Sequence, residues 1–184
     1  MKKLVPNTVI PEQFYVRRVA DEQLREIIHD MGRPGYILVA RQMGKTNLLI
    51  NAKRQHETSN DIFAYIDLSN RYDTDRDCFR SIIDTILETN QRALQVVTEQ
   101  IYLDRKSTNV AAHREHSKEL RRILNTIKGK LIIALDEIDS LTTADYSDKI
   151  FAHVRSIYFE RISFKEYERL TYIIKDLDMI TKLE

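Results

Sequence analysis

Four short segments of the chain are apolar at consecutive positions and do not alternate with polar residues. Such runs are typical of strands that are buried on both faces, as in a parallel sheet covered by helices. The predicted strands are Tyr36–Ala40, Ile62–Ile66, Leu131–Leu135 and Leu170–Ile174.

Between these runs, apolar residues recur at helical spacing. The first set ends before Gly32 and Pro34, which favour the end of a helix, and the alternation of strands with helices predicts a doubly wound α/β fold. The segment from about Asn90 to Arg114 is polar and weakly periodic, and we expect a helix extension and an exposed connection there. The helical sets lie at Leu24–Met31, Phe79–Leu87, Leu120–Ile127 and Phe151–Tyr158.

Composition narrows the classes of function. The 29 basic and 28 acidic side chains give a formal net charge of +1, which argues against a general electrostatic grip on nucleic acid or on an anionic membrane. Cys78 is the single cysteine, so no internal disulfide can form and a reducing compartment is expected. Pro6 and Pro11 interrupt the weakly apolar start of the chain, which resembles neither a signal sequence nor a membrane span. These features predict a cytoplasmic protein.

The sequence Gly44-Lys45-Thr46 follows the first predicted strand and opens a predicted helix, Lys45 to about Gln55. Gly-Lys-Thr in this context ends a phosphate-binding loop, although Val39 stands where the usual motif has its first glycine. Backbone N–H groups at the helix start would hold phosphates, Lys45 would reach the β- and γ-phosphates, and the Thr46 hydroxyl would bind Mg²⁺. The alternative is a chance occurrence on a surface helix.

The third predicted strand ends in two adjacent carboxylates, Asp136 and Glu137. This is a Walker B pattern, in which the first acid joins the Mg²⁺ shell and the second acts on the attacking water as a general base. The alternative is that Asp136 caps a following helix. An upstream phosphate loop favours the site, because ligands of open α/β sheets gather at the carboxyl ends of the strands.

These motifs and their surroundings resemble the AAA-like domain of bacterial signal-transduction ATPases with numerous domains, which often join the ATPase to an effector or to WD-type repeats. The resemblance covers most of residues 11–174, and its most specific piece is RQMGKT, Arg41 to Thr46. It implies a P-loop NTPase with a three-layer core and a mostly parallel sheet. The other stretches that carry the resemblance are Pro11–Leu24, Phe63–Ser69 and Phe151–Ile174.

The resemblance also assigns residues. It implies that Arg18 in YVRR lies near the nucleotide, with Tyr15 and Val16 as walls for the adenine; by itself, Arg18 would be a solvated surface charge. Arg155 and Arg161 match positions where related ATPases can carry an arginine that acts on a neighbouring subunit. The loop residues expected to contact nucleotide are Arg41, Gln42, Met43, Gly44, Lys45, Thr46 and Asn47.

The predicted organisation is an arm at 1–19, an ATPase domain at 20–175 and a tail at 176–184. The family's sheet order resembles 5-1-4-3-2, and ten residues, Lys175–Glu184, follow the fourth apolar run. They do not resemble a fifth strand, so we expect a truncated or minimal core with Tyr36–Ala40 at an open edge, which Lys3–Ile10 could partly cover. Lys175-Asp176 also stands where the family has a small or polar sensor residue.

We therefore expect an ATP-binding, Mg²⁺-dependent switch with ATP/ADP as ligand and slow hydrolysis, in which Lys45 and Glu137 carry the chemistry. Self-association or another protein at the sheet edge is expected. The alternatives are a non-catalytic interaction module and an ATPase that acts on DNA, and neutral charge disfavours the second. His113 and His116 could bind a metal, but we expect a solvated helix face there.

Overall fold

The computed structural model describes residues 9–31, 34–38, 44–70, 72–107 and 109–176. Its strands are β1 (Gly35–Leu38), β2 (Ile62–Asp67), β3 (Leu131–Asp136) and β4 (Leu170–Asp176). Its α-helices are α1 (Val19–Glu26), α2 (Lys45–His56), α3 (Asp75–Thr89), α4 (Gln91–Arg105), α5 (Ala112–Thr126) and α6 (Ser147–Glu160). A π-helical turn, Ile27–Met31, continues α1, and short 3₁₀ turns lie at Glu12–Phe14, Ile138–Leu141 and Lys165–Arg169.

The four strands form one parallel sheet in the order β1-β4-β3-β2. This confirms the predicted α/β class and the predicted neighbours of each strand. Because all the strands run in the same direction, their carboxyl ends meet at one edge, where ligands of such sheets bind. In register, Asp67 pairs with Asp136, and Leu135 pairs with Ile174.

Alternate residues of the strands enter two separate cores, one on each face of the sheet. Ile133 and Leu135 belong to the core formed with α3, α5 and α6, whereas Ile132 and Ala134 belong to the smaller core formed with α1 and α2. The strands are buried on both sides, which explains why their sequences are continuously apolar. The result is the predicted three-layer arrangement.

The helix that follows β1 begins at a glycine for a conformational reason. Gly44 has φ of 72°, in the left-handed region that a side chain disfavours, and it caps the N-terminus of α2. At the start of α3, the Thr74 hydroxyl accepts a hydrogen bond from the backbone N–H of Asp77 at 3.1 Å.

The expectation of an exposed connection between Asn90 and Arg114 was wrong for most of that segment. Residues 91–105 form α4, whose buried side chains are Leu94, Val97 and Ile101. The Arg105 guanidinium lies between the carboxylates of Asp84 and Glu119, at 2.6 and 2.7 Å. These ion pairs attach α4 to α3 and α5, so its many polar residues belong to a packed helix.

Of the two histidines expected on a solvated helix face, only His113 is exposed to solvent. His116 is buried, stacked on Phe79 and hydrogen-bonded to His153 at 3.1 Å. The described residues contain no group of three or more histidine, cysteine or acidic side chains that could hold a metal ion. Cys78 is a buried core residue, as predicted.

Within the described residues, β1 pairs only with β4 and forms one end of the sheet. Of the segment Lys3–Ile10, only Val9 and Ile10 are described. Ile10 hydrogen-bonds through its N–H to Asn47 and through its carbonyl to Arg54. It therefore lies along α2 and does not cover β1.

Candidate functional site

The buried carboxylate of Asp136 lies at the carboxyl end of β3 and is the centre of the site. Its Oδ2 accepts hydrogen bonds from Thr46 Oγ1 at 3.2 Å and from the Tyr65 hydroxyl at 2.7 Å. Its Oδ1 accepts the backbone N–H of Glu137 at 2.7 Å. Asp136 is 0% exposed, and a buried carboxylate is tolerated only with such partners. The first residues of α2 and the tip of β3 are therefore in direct contact.

Lys175 lies in the same cluster. Its ammonium forms an ion pair with Asp136 Oδ1, donates to Thr46 Oγ1 at 3.0 Å and donates to Glu137 Oε1 at 3.2 Å. The register that pairs Leu135 with Ile174 places Asp136 and Lys175 one step further along neighbouring strands. The fourth predicted strand ends at Ile174, but β4 continues through Lys175 to Asp176. Asp176, the first residue of the predicted tail, is therefore part of the sheet.

Glu137 combines an unusual backbone with an accessible side chain. Its φ is 54°, and no other described non-glycine residue has a positive φ. Holding a side chain in this left-handed conformation costs on the order of 1 kcal/mol or more, and such residues concentrate at functional sites. The Glu137 side chain is 53% exposed, in contrast to the buried Asp136 beside it. The two adjacent acids therefore have different environments, one fixed and one open to solvent.

The residues of the predicted phosphate loop are described from Gly44 onward. Lys45 and Thr46 are the first two residues of α2, and both are partly buried. Asn47 uses its side-chain oxygen to accept the N–H of Ile10 at 2.7 Å. The first N–H groups of α2 have no partner within the helix itself, and the positive end of the helix dipole lies there. Val39, Arg41, Gln42 and Met43 lie outside the described residues.

The arm before α1 reaches the start of α2. Arg18 Nη2 donates to the Gly44 carbonyl at 3.4 Å and to the Tyr15 hydroxyl at 3.1 Å. Tyr15 in turn donates to Asp21 Oδ1 at 2.8 Å, and partial burial raises the pKa of its hydroxyl. Val16 is 79% exposed. Arg18 and Tyr15 therefore lie next to the predicted phosphate loop. Val16, between them in sequence, exposes most of its apolar side chain.

The two candidate finger arginines have different surroundings. Arg155 is exposed on α6. Arg161 donates to the carbonyl of Leu170, at the start of β4, and its guanidinium lies 4.7 Å from the Tyr158 ring centroid. Burial lowers the pKa of Arg161. Leu170 and the Asp136 cluster lie at opposite ends of the sheet, so Arg161 does not contact the site of its own chain.

The donor chemistry of the cluster suits Mg²⁺. The ion prefers hard oxygen ligands, and it is commonly bound by one or two protein oxygens together with phosphate and water. Thr46 Oγ1 and the Asp136 carboxylate are such oxygens and lie within hydrogen-bond distance of each other. The Lys175 ammonium contacts both of these side chains, so the residues fit the ion once that ammonium moves aside.

Two residues of this cluster were missed as site residues. Tyr65 belongs to the second predicted strand and to a stretch that carries the resemblance, but it is not among the predicted site residues. Burial together with its hydrogen bond to Asp136 raises the pKa of its hydroxyl. Lys175 departs from the family pattern and is likewise not among the predicted site residues. The predicted sheet order contained the signal for Lys175, because the first polar residue after the fourth apolar run must lie beside the acid that ends its neighbour.

Comparisons with known proteins relate most of the chain to one protein family. A family model described as "AAA-like domain" matches residues 6–177. The chain is also 27% identical over 166 residues to an uncharacterized WD repeat-containing protein of Synechocystis sp.. That alignment covers 87% of this chain and 14% of the relative, so the chain spans a small part of the relative's length. No solved structure matches significantly. Among the described residues, no helix has the length and apolarity needed to cross a membrane.

Proposed function

The chain belongs to the AAA-like domain family, and we propose that it binds ATP with Mg²⁺ at the carboxyl edge of its sheet and works as a nucleotide-dependent switch. The family match indicates a nucleotide-binding P-loop NTPase in general. The observation that supports the specific proposal is the hydrogen bond of 3.2 Å between Thr46 and Asp136, which are 90 positions apart in sequence. It brings together the two oxygen groups that a Mg²⁺–phosphate complex needs.

Each residue of the cluster has a role in this proposal. The N–H groups at the start of α2 bind phosphate oxygens, and Lys45 adds a positive charge next to them. Arg18, which donates to the Gly44 carbonyl, borders the loop on the side of the arm. Thr46 and Asp136 would hold Mg²⁺, which supplies charge neutralisation to the phosphates. Tyr65 fixes the orientation of the Asp136 carboxylate through its hydrogen bond.

Glu137 is the proposed general base for hydrolysis. Its side chain is open to solvent, where a water molecule can approach, while Asp136 beside it is enclosed. The Lys175 ammonium donates to Glu137 Oε1, so one of the two carboxylate oxygens of the base is engaged by this contact. We propose that hydrolysis is slow, because the Lys175 ammonium must be displaced from this cluster before metal and nucleotide are in place.

The switch part of the proposal draws on the relative. Its printed name describes a WD repeat-containing protein, and its length far exceeds the matched segment. We propose that this chain acts as the nucleotide-responsive domain of a STAND-type signalling ATPase. We also place it in the cytoplasm, since its single cysteine, Cys78, is a buried thiol that suits a reducing compartment.

Titration of the chain with ATP in a calorimeter, with and without Mg²⁺, tests nucleotide binding. Lys45→Ala removes a charged contact to phosphate that is typically worth about 1.5–3 kcal/mol, so the affinity should fall roughly ten- to a hundredfold. Lys149→Ala is the matched control, because the Lys149 side chain is 70% exposed on α6 and should leave ATP binding unchanged. Equal ATP affinity of wild type and Lys45→Ala would refute the proposed site.

A further inference from the structure

The Lys175 ammonium has a complete set of hydrogen-bond acceptors. An ammonium has three N–H donors, and three oxygens face it, one each from Thr46, Asp136 and Glu137. The Thr46 hydroxyl also donates its own hydrogen to Asp136, so its lone pair is directed to Lys175 in a consistent chain of donors and acceptors. The Lys175 side chain is only 9% exposed. This is an enclosed, fully paired cation.

The position of this cation coincides with the position at which Mg²⁺ would be held. The oxygens that fit the metal, from Thr46 and Asp136, are among those that bind the ammonium. Two positive centres cannot share these oxygens at close range, because unscreened repulsion in a buried site is large. The ammonium and a divalent cation are therefore alternatives at this site.

We propose that Lys175 is a tethered counter-cation that fills the divalent-metal position when nucleotide is absent, so that a metal ion enters only by displacing the ammonium. The inference rests on the site named under the proposed function and adds its regulation. It gives the buried Asp136 carboxylate a cation as its partner, which a carboxylate at 0% exposure requires. It also predicts that the protein alone has low affinity for divalent cations.

The displaced ammonium needs a new acceptor. Lysine has a flexible four-carbon stem, and the third contact of Lys175, at 3.2 Å from Glu137, already points to the solvent-accessible acid. A bound nucleotide would offer phosphate oxygens both to the ammonium and to the metal. Nucleotide and metal should therefore bind with positive coupling, and metal without nucleotide should bind poorly.

Binding of Mn²⁺ alone, measured by electron paramagnetic resonance on the nucleotide-free protein, tests the inference. Lys175→Gln removes the charge and keeps an amide donor near Asp136, and Mn²⁺ should then bind at least about tenfold more tightly than to wild type, because two carboxylates remain without a counter-ion. Lys175→Arg keeps the charge and should behave like wild type. Asp136→Asn in the Lys175→Gln background should abolish the gain. Equal Mn²⁺ affinity of wild type and Lys175→Gln would overturn the proposal.

A second measurement covers the risk that Lys175→Gln folds poorly. Mn²⁺ should raise the thermal unfolding midpoint of Lys175→Gln and leave that of wild type unchanged, since a ligand stabilises only the state that binds it. None of these experiments contains nucleotide, so a failure to bind ATP would reject the proposed function and leave this test intact.

Discussion

The hydroxyl of Tyr65, in β2, donates to Asp136 Oδ2, in β3, at 2.7 Å. The same carboxylate oxygen accepts from Thr46, at the start of α2. Tyr65 thus occupies one side of the acid and leaves the other side to α2, which fixes the orientation of the carboxylate. The Tyr65–Asp136 contact is a bond to a charged, buried acceptor, and such bonds are stronger than neutral ones.

Tyr65→Phe should therefore reduce the free energy of unfolding by about 1.5–3 kcal/mol, the usual range for a hydrogen bond to a charged group. Urea denaturation of the variant and of wild type measures this difference in the free energy of unfolding. Tyr72→Phe is the matched control, because the Tyr72 hydroxyl bonds the neutral Ser81 hydroxyl at 2.8 Å and its loss should cost about 0.5–1.5 kcal/mol. Equal losses in the two variants would show that Tyr65 does not support the acid.

Glu137→Gln should retain ATP and Mg²⁺ binding and lower the turnover of ATP by roughly 10²–10⁴-fold, the usual contribution of a general base. The amide keeps the shape of the side chain but cannot accept a proton. Phosphate release under single-turnover conditions measures the rate, and calorimetry measures binding. Glu88→Gln, an exposed acid on α3, is the control and should turn over ATP like wild type. An unchanged rate in Glu137→Gln would remove Glu137 from the mechanism.

The sheet could be predicted from sequence because its signal is local. The strands β2, β3 and β4 each contain a continuous apolar run, because they are buried on both faces. Asp136 directly follows the run in β3. The position of Lys175 can be predicted only when the sheet order is added to the local pattern. A charged residue in a strand is tolerated there only because Asp136, 39 positions away, neutralises it, and no local pattern contains that partner.

In the helices, too, local spacing could be predicted from the sequence, whereas contacts between distant residues could not. In α4, Leu94, Val97 and Ile101 have helical spacing, but exposed polar residues between them concealed it. His116 is buried because His153 and Phe79 enclose it, and both come from other helices. Burial of polar groups depends on partners that are distant in sequence, which a single chain's pattern cannot indicate.

Arg18→Ala should weaken ATP binding by roughly ten- to a hundredfold if Arg18 gives a charged hydrogen bond to the nucleotide. The arm already brings Arg18 to the Gly44 carbonyl, at 3.4 Å. Arg17→Ala is the matched control, since Arg17 is its exposed neighbour and carries the same charge. Calorimetric titration of both variants separates a specific contact from a general effect of charge. Equal affinities would assign Arg18 to the structure of the arm.

Stability should decrease in acid because of the histidine pair between α5 and α6. Burial lowers the pKa of His153 to about 4, and it lowers the pKa of His116 well below its ordinary value. The unfolded chain takes up these protons near pH 6.5 and the folded chain does not, so the stabilisation is complete above about pH 6.5 and is lost as pH falls toward 4. Between these pH values the free energy of unfolding should fall by up to about 1.4 kcal/mol per pH unit for each histidine.

Urea denaturation from pH 7 to pH 4 measures this slope. His153→Gln removes one of the two titrating groups and should give a shallower loss of stability over the same range. A pH dependence identical to that of wild type would exclude His153 as a source of the acid sensitivity.

The end of the sheet at β1 should mediate association. Among the described residues, β1 has a strand partner on one side only. Tyr36, in β1, is 39% exposed, and it lines one surface cavity together with Phe159, which is 61% exposed at the end of α6. Strand edges with apolar surface recruit other chains. Phe159→Glu should therefore reduce self-association in sedimentation velocity, because it places a charge on the contact surface. Leu103→Glu is the matched control, since Leu103 is 66% exposed on α4, away from this edge. A monomeric wild-type chain, or equal association of the two variants, would exclude this surface as the route of association.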